Sequence, residues 1–278
     1  VLDLLDESLN THSDESGKVR AQSLRIKALI AANRLQEAAR AADELPPIQD
    51  IPNDVRHFAV KTAIDAYGQV DRKEDAARIL DEFGEIDPQG RIQFANGYLK
   101  ELANTLRTYD RDGDTEKAIS TAKTVYANGI IPSLAQLENT INEDPWPALY
   151  AAYLLRRADQ NLAAIAYSEA ILKKHPGTSE ALLEKAEALY AQGGPTPWQE
   201  AFNIFRQIRF GSQRGSRMWW QSELRQLEIL EKMEQQLDAI GPRINRLRRE
   251  NPDLGGGDIR RGLEALQLRA NRRALDDS

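Results

Sequence analysis

Alanine and proline recur along this chain with a period of about 40 residues, and a repeat of that length restricts the fold more than any other feature of the sequence. Alanines open apolar stretches at Ala38, Ala76, Ala118, Ala163, Ala201 and Ala239. Prolines follow at Pro46, Pro88, Pro132 and Pro176, and again at Pro252, with "RFGSQRG" at the station between. Each interval holds an amphipathic stretch, a short polar turn and the alanine-opened stretch. In "HFAVKTAIDAYGQVDRKEDAARILDEFGEIDP", Val60, Ala63, Ile64 and Tyr67 fall at i, i+3, i+4 and i+7, and Ala76, Ile79, Leu80 and Phe83 repeat that spacing. That is one face of a helix, twice. A helix with a single apolar stripe must bury it, and stacked hairpins bury theirs against one another in a continuous core. The pattern predicts an all-α solenoid of about six helical hairpins.

Composition agrees with helices and narrows the partners. The chain is alanine-rich, has 6 Phe, 8 Tyr and 4 Trp in 278 residues, and offers few runs of Val, Ile and Thr from which to build sheet. No run of 18 apolar residues is long enough to cross a membrane. The opening "VLDLLDESLN" has neither the basic flank nor the apolar centre of a signal peptide, and a start at Val1 suggests a fragment whose targeting signal lies upstream; the sequence assigns no compartment. With no cysteine there is no disulfide, thiolate nucleophile or Cys-ligated zinc. The net charge of −6 divides unevenly: residues 1–200 carry 22 Lys+Arg against 32 Asp+Glu, and residues 201–278 carry 15 against 11. An acidic body lacks the cations that nucleic-acid binding requires, and no nucleic-acid partner is expected.

The hairpin units resemble the tetratricopeptide repeat family. With Ala76 at the small position of the second helix, Tyr67, Phe83 and Pro88 fall on the family's tyrosine, last core and terminal proline positions. "YAAYLLRRADQNLAAIAYSEAILKKHP" is similar through Ala151, Ala163, Tyr167, Ala170 and Pro176, with one residue inserted before the proline. "SEALLEKAEALYAQGGPTPWQEAFNIFRQI" matches through Leu182, Ala186, Leu189, Ala201 and Phe205. "MWWQSELRQLEIL" followed by "NPDLGGGDIRRGLEAL" is similar to the closing segment of long bacterial members, which implies the C-terminal part of a longer protein. The expected organisation is a leading helix or remnant at 1–17, the repeat array at 18–252 and a capping helix with its tail at 253–278.

Several motifs point to chemistry and fail on inspection. "TYDRDGDTEKA" places Asp110, Asp112 and Asp114 at calcium-loop spacing, but Thr115 stands where such a loop needs glycine and Thr121 where it needs a bidentate glutamate. Gly113 instead matches the inter-helix turn occupied by Asn33 and Asp71 in other units, with Asp114 capping the next helix. His12, His57 and His175 stand far apart with no partner at metal spacing. "LGGGDIRRG" puts Asp258 where a phosphate would go, and is expected to be a flexible link with an aspartate cap; "FGSQRG" lacks the flanks of a nucleophile elbow. "TPWQ" is expected to be a capping box from Thr196 to Gln199. Of Trp219 and Trp220, one is expected in the core and the other partly exposed. Neither a metal nor a cofactor is implied.

In the family the first helices line a concave groove. The inward positions fall on Lys27, Lys61, Asp65, Lys100, Arg107, Arg111 and Arg156, a mostly cationic strip suited to an acidic or extended peptide. The cationic clamp by which some members hold chaperone tails is absent, since Ser23 and Thr62 stand at two of its positions. The resemblance thus implies a right-handed α-α superhelix acting as a non-enzymatic scaffold for protein or peptide partners. An all-helical carbohydrate-active enzyme would need two selected carboxylates, and a helical-repeat RNA-binding module would need a basic groove through every repeat. Neither pattern is present.

Overall fold

The computed structural model describes residues 14–112, 114–127 and 144–276, and among these every regular element is a helix. The thirteen α-helices are α1 (Glu15–Ala31), α2 (Leu35–Asp43), α3 (Asn53–Gln69), α4 (Lys73–Ile86), α5 (Pro88–Asp112), α6 (Thr115–Ala127), α7 (Trp146–Arg157), α8 (Asn161–Lys174), α9 (Ser179–Gln192), α10 (Pro195–Gly211), α11 (Arg217–Lys232), α12 (Leu237–Glu250) and α13 (Gly257–Asp276). A 3₁₀ turn, Ile48–Asp50, joins α2 to α3. The chain divides into two compact units, Val1–Gln160 and Asn161–Ser278. His12 and Pro132 lie outside the described residues.

In the first unit each helix packs on the next, and α1 packs also on α3, α3 on α5 and α5 on α7. That is the contact pattern of stacked antiparallel hairpins, whose first helices form one row. In the second unit α8, α9, α10 and α11 pack each on the next, and α13 packs on both α11 and α12. First helices are therefore covered on several sides. Val55, Ala59, Val60, Ala63, Ile64, Ala66 and Tyr67 of α3 are all buried, whereas α4 buries only Ala76, Ile79, Leu80 and Phe83.

The turns within the hairpins share one chemistry. Asn33, Asp71, Asp159 and Glu234 all adopt φ between 53° and 64°. The amide that follows each bonds back to the last turn of the helix: Arg34 N–H to Leu29 C=O at 2.9 Å, Arg72 to Tyr67 at 3.0 Å, Gln160 to Leu155 at 2.9 Å and Gln235 to Leu230 at 2.9 Å. This left-handed closure satisfies a carbonyl the helix end would otherwise leave bare. Asp114 N–H makes the same bond to Tyr109 C=O at 2.8 Å, which puts the acidic loop in the series of turns. Gly113 itself lies outside the described residues.

The repeat register holds in most units and shifts in two. Ala38, Ala76, Ala118 and Ala201 are at most 4 % exposed, as their place at a close helix crossing requires. In α8, however, Ala163 and Tyr167 are only half-buried and Ala170 is exposed; the buried stripe is Ala164, Ser168 and Ile171. In α12 Ala239 is exposed and the stripe is Ile240, Ile244 and Leu247. The corrected stripes bring Phe83, Ile171 and Leu247 each five residues before Pro88, Pro176 and Pro252, and the residue taken as inserted in the α8 unit disappears. Two further expectations change. α10 begins at Pro195 with Gly194 as its N-cap and no side-chain cap, so Thr196 and Gln199 lie inside the helix and form no capping box. Both Trp219 and Trp220 are buried, at 8 % and 3 % exposed, because α13 and its leading loop cover the side that one helix by itself would leave open.

That loop is not a flexible link. Leu254 is fully buried at φ 49°, and Gly255, Gly256 and Gly257 follow at φ 82°, 75° and 47°, a left-handed run that only glycine adopts freely. A Cβ on Gly255 would meet the Trp220 Cγ at 2.6 Å. Asp258 lies inside the first turn of α13 rather than at its cap, 3.5 Å from Arg217.

Candidate functional site

The seven residues expected on the groove all belong to the first unit, on α1, α3, α5 and α7. Six of them form two clusters and one isolated cation. In the first cluster Lys61 Nζ pairs with Glu101 Oε2 at 2.6 Å, linking α3 to α5. Asp65, one turn along α3, accepts a hydrogen bond from the Tyr98 hydroxyl at 2.8 Å. Burial pushes the Asp65 carboxyl above its ordinary range, against the opposing pull of Tyr98, Lys61 and Lys27. The Tyr98 phenol is raised for the same reason, by burial and then by the neighbouring Asp65. Lys27 is exposed, its ammonium 5.6 Å from the centre of the Phe58 ring.

The second cluster surrounds Tyr153 on α7. Arg107 and Arg156 lie over its ring at 4.9 Å and 5.4 Å, and its hydroxyl donates to Asp110 Oδ2 at 3.4 Å. Burial and Asp110 push the Tyr153 phenol up to about 12. Arg157 completes the group with 2.5 Å to Asp110 Oδ1. The first ligand position of the candidate calcium loop is thus taken by an arginine and a tyrosine of the next first helix. Among the described residues no cluster of three metal-ligating side chains exists. The side chains of Arg111 and Asp112 lie outside the described residues.

Lys100 has neither a salt bridge nor a hydrogen bond among the described residues. It borders an open trough along the exposed face of α5, lined by Gln93, Asn96, Gly97, Trp146 and Tyr150 and continuing past Glu101, Asn104 and Thr108. Trp146 is 45 % exposed and lies 6.0 Å from Tyr150, ring centre to ring centre. Asp144 holds it there, accepting from the Trp146 amide at 3.0 Å and from Asn96 Nδ2 at 3.1 Å. Sequence reasoning looked for an exposed tryptophan at 219 and 220 and passed over Trp146, whose signal is the Pro-Trp-Pro at a helix start, where the outward face of the first turn has nothing before it to cover it.

The strip is therefore mixed rather than cationic. Glu101 neutralises Lys61, Asp65 and Asp110 interleave with the bases, and Lys100, like Lys27 and Arg107, meets no carboxylate in an ion pair among the described residues. Ser23 and Thr62, at two of the positions the chaperone-tail clamp requires, are fully buried and return their hydroxyls to their own helices, at 2.8 Å to Val19 C=O and 3.0 Å to Phe58 C=O.

Stacked hairpins, left-handed turns and a surface of polar and aromatic side chains define an all-α helical-repeat protein. No family model matches the chain, and no curated protein is similar to it in sequence. Among solved structures it is similar to the crystal structure of the yeast Tom70, at 14 % identity and a TM-score of 0.42, over 99 % of this chain and 58 % of that one. The chain spans little more than half the length of that protein. Among the described residues no helix is long and apolar enough to cross a membrane.

Proposed function

We propose that this chain is a non-enzymatic scaffold that binds a protein or peptide partner along the first-helix face of its N-terminal unit. The observation that carries the reading is the pairing of an unmatched cation, Lys100, with a half-exposed tryptophan, Trp146, in one open trough. Tryptophan and cations of this kind dominate the energetics of partner surfaces. The helices beneath are packed before any partner arrives, so little ordering cost is incurred on binding. Lys27, Lys61, Asp65, Arg107, Arg111 and Arg156 are further candidate contacts on the same row of first helices, and a partner with a carboxylate beside an aromatic or extended segment fits the trough. In this reading residues 18–252 are the array and 253–278 its cap.

The test is affinity capture with the full-length protein against its Lys100→Glu and Trp146→Ala variants. Each should lose the main partner while helicity and melting stay within error, because both side chains are exposed. Retrieval of the same partners at the same salt by both variants would move the binding surface elsewhere.

A further inference from the structure

The second unit carries an arginine-lined recess that the proposed function does not use. α12 presents Arg243, Arg246 and Arg249 at successive turns of one face. With Gln236 they wall a recess of about 420 Å³ whose floor is Leu227 and Leu230 of α11. No acidic residue lines it. A second recess, bordered by Asn245 and Arg248, shares Pro242 and Arg249 with the first, so the two adjoin along α12.

The charges in this trough are only partly met. Glu223 is buried and bridges Arg209 and Arg243, at 2.9 Å and 2.7 Å, so one carboxylate serves two guanidinium groups. The Arg243 Nη2 is buried without a hydrogen-bond partner, a position that calls for an acceptor. Arg246 and Arg249 are exposed and make no ion pair or hydrogen bond among the described residues. Guanidinium groups so placed match carboxylates in a fork geometry, and the leucine floor adds an apolar contact between them. Two adjoining recesses suit an extended chain better than a single ion. Nucleic acid would require cations over a far longer track than three turns of one helix.

We infer that the α11–α12 trough is a docking site for an extended peptide in which acidic side chains alternate with leucine-like ones. The carboxylates would pair with Arg246 and Arg249, and the apolar side chains would settle against Leu230, Ala239 and Pro242. This site is independent of the first-unit surface.

The experiment is fluorescence anisotropy on the whole chain, with a short labelled peptide alternating Glu and Leu as probe. Binding should weaken about tenfold or more in Arg246→Glu/Arg249→Glu, a change of about 1.4 kcal/mol or more, and stay unchanged in Lys100→Glu. A peptide alternating Glu and Ser should bind more weakly than the Glu-Leu probe. Arg246 and Arg249 are exposed, so melting should not move, and circular dichroism checks that. No binding of the probe, equal affinity in the double variant, or equal affinity for the Glu-Ser peptide would each overturn the inference. So would tighter binding of a single-stranded oligonucleotide or an anionic-lipid vesicle than of the Glu-Leu probe.

Discussion

Replacing Gly255 by alanine tests whether the glycine loop is a fitted lid over the tryptophan pair, and Gly256→Ala is its internal control. Both residues have positive φ, 82° and 75°, so an added Cβ costs each about 1 kcal/mol in backbone strain. Around Gly256 a Cβ would meet nothing within 4 Å. At Gly255 it would lie 2.6 Å from Trp220 Cγ and 2.9 Å from both Cβ and Cδ1. Those atoms are the root of the side chain, so relief requires moving the whole indole. The indole has little room, being 3 % exposed and edge-on to Trp219 with ring centres 4.8 Å apart. Overpacking of this kind adds about 1–3 kcal/mol, so Gly255→Ala should cost about 2–4 kcal/mol in all against about 1 for the control. For a unit of this size each kcal/mol is about 4 °C in melting temperature. The assays are thermal and urea unfolding, with acrylamide quenching of tryptophan emission to report whether the lid has lifted. Equal destabilisation by the two substitutions, or unchanged quenching in Gly255→Ala, would refute the fitted lid.

Ala164→Leu should destabilise by about 1–3 kcal/mol in urea unfolding, because Ala164 is fully buried, while the half-buried Ala163→Leu should cost less; the reverse order would restore the alanine register. Asp65→Asn keeps the acceptor for Tyr98 and removes a carboxylate whose folded pKa is raised by burial. A raised carboxylate makes the fold bind its proton more tightly than the unfolded chain, so its penalty is absent below the unfolded carboxylate pKa and grows as pH rises through the folded one. Asp65→Asn should therefore match the parent near pH 3 and equal or exceed its stability near pH 7, about one and three units either side of the ordinary carboxylate range, and a deficit confined to neutral pH would contradict this. Millimolar calcium should leave the melting temperature unchanged, since Asp110 is engaged by Arg157 and Tyr153; a rise of several degrees would restore the calcium loop.

The sequence by itself determined that the chain is helical, that its helices pair, and where the pairs turn. Those properties are local: a stripe at i, i+4 and i+7 commits a segment to one buried face, and Asn33 or Asp71 accepts the left-handed backbone whatever packs nearby. Tyr67, Phe83, Ala201 and Phe205 were legible as core on that basis. Which of two adjacent residues enters a helix crossing was not. Ala163 and Ala164 differ by one position round the helix and not at all in chemistry, so only the neighbouring helix selects between them. The same limit governed the surface. That Lys61 meets Glu101 forty residues away, that α13 closes over Trp219 and Trp220, and that Lys100 shares a trough with Trp146 are facts of distance between helices. A side chain's charge is written in the sequence; whether a counter-charge answers it is decided only when the helices pack.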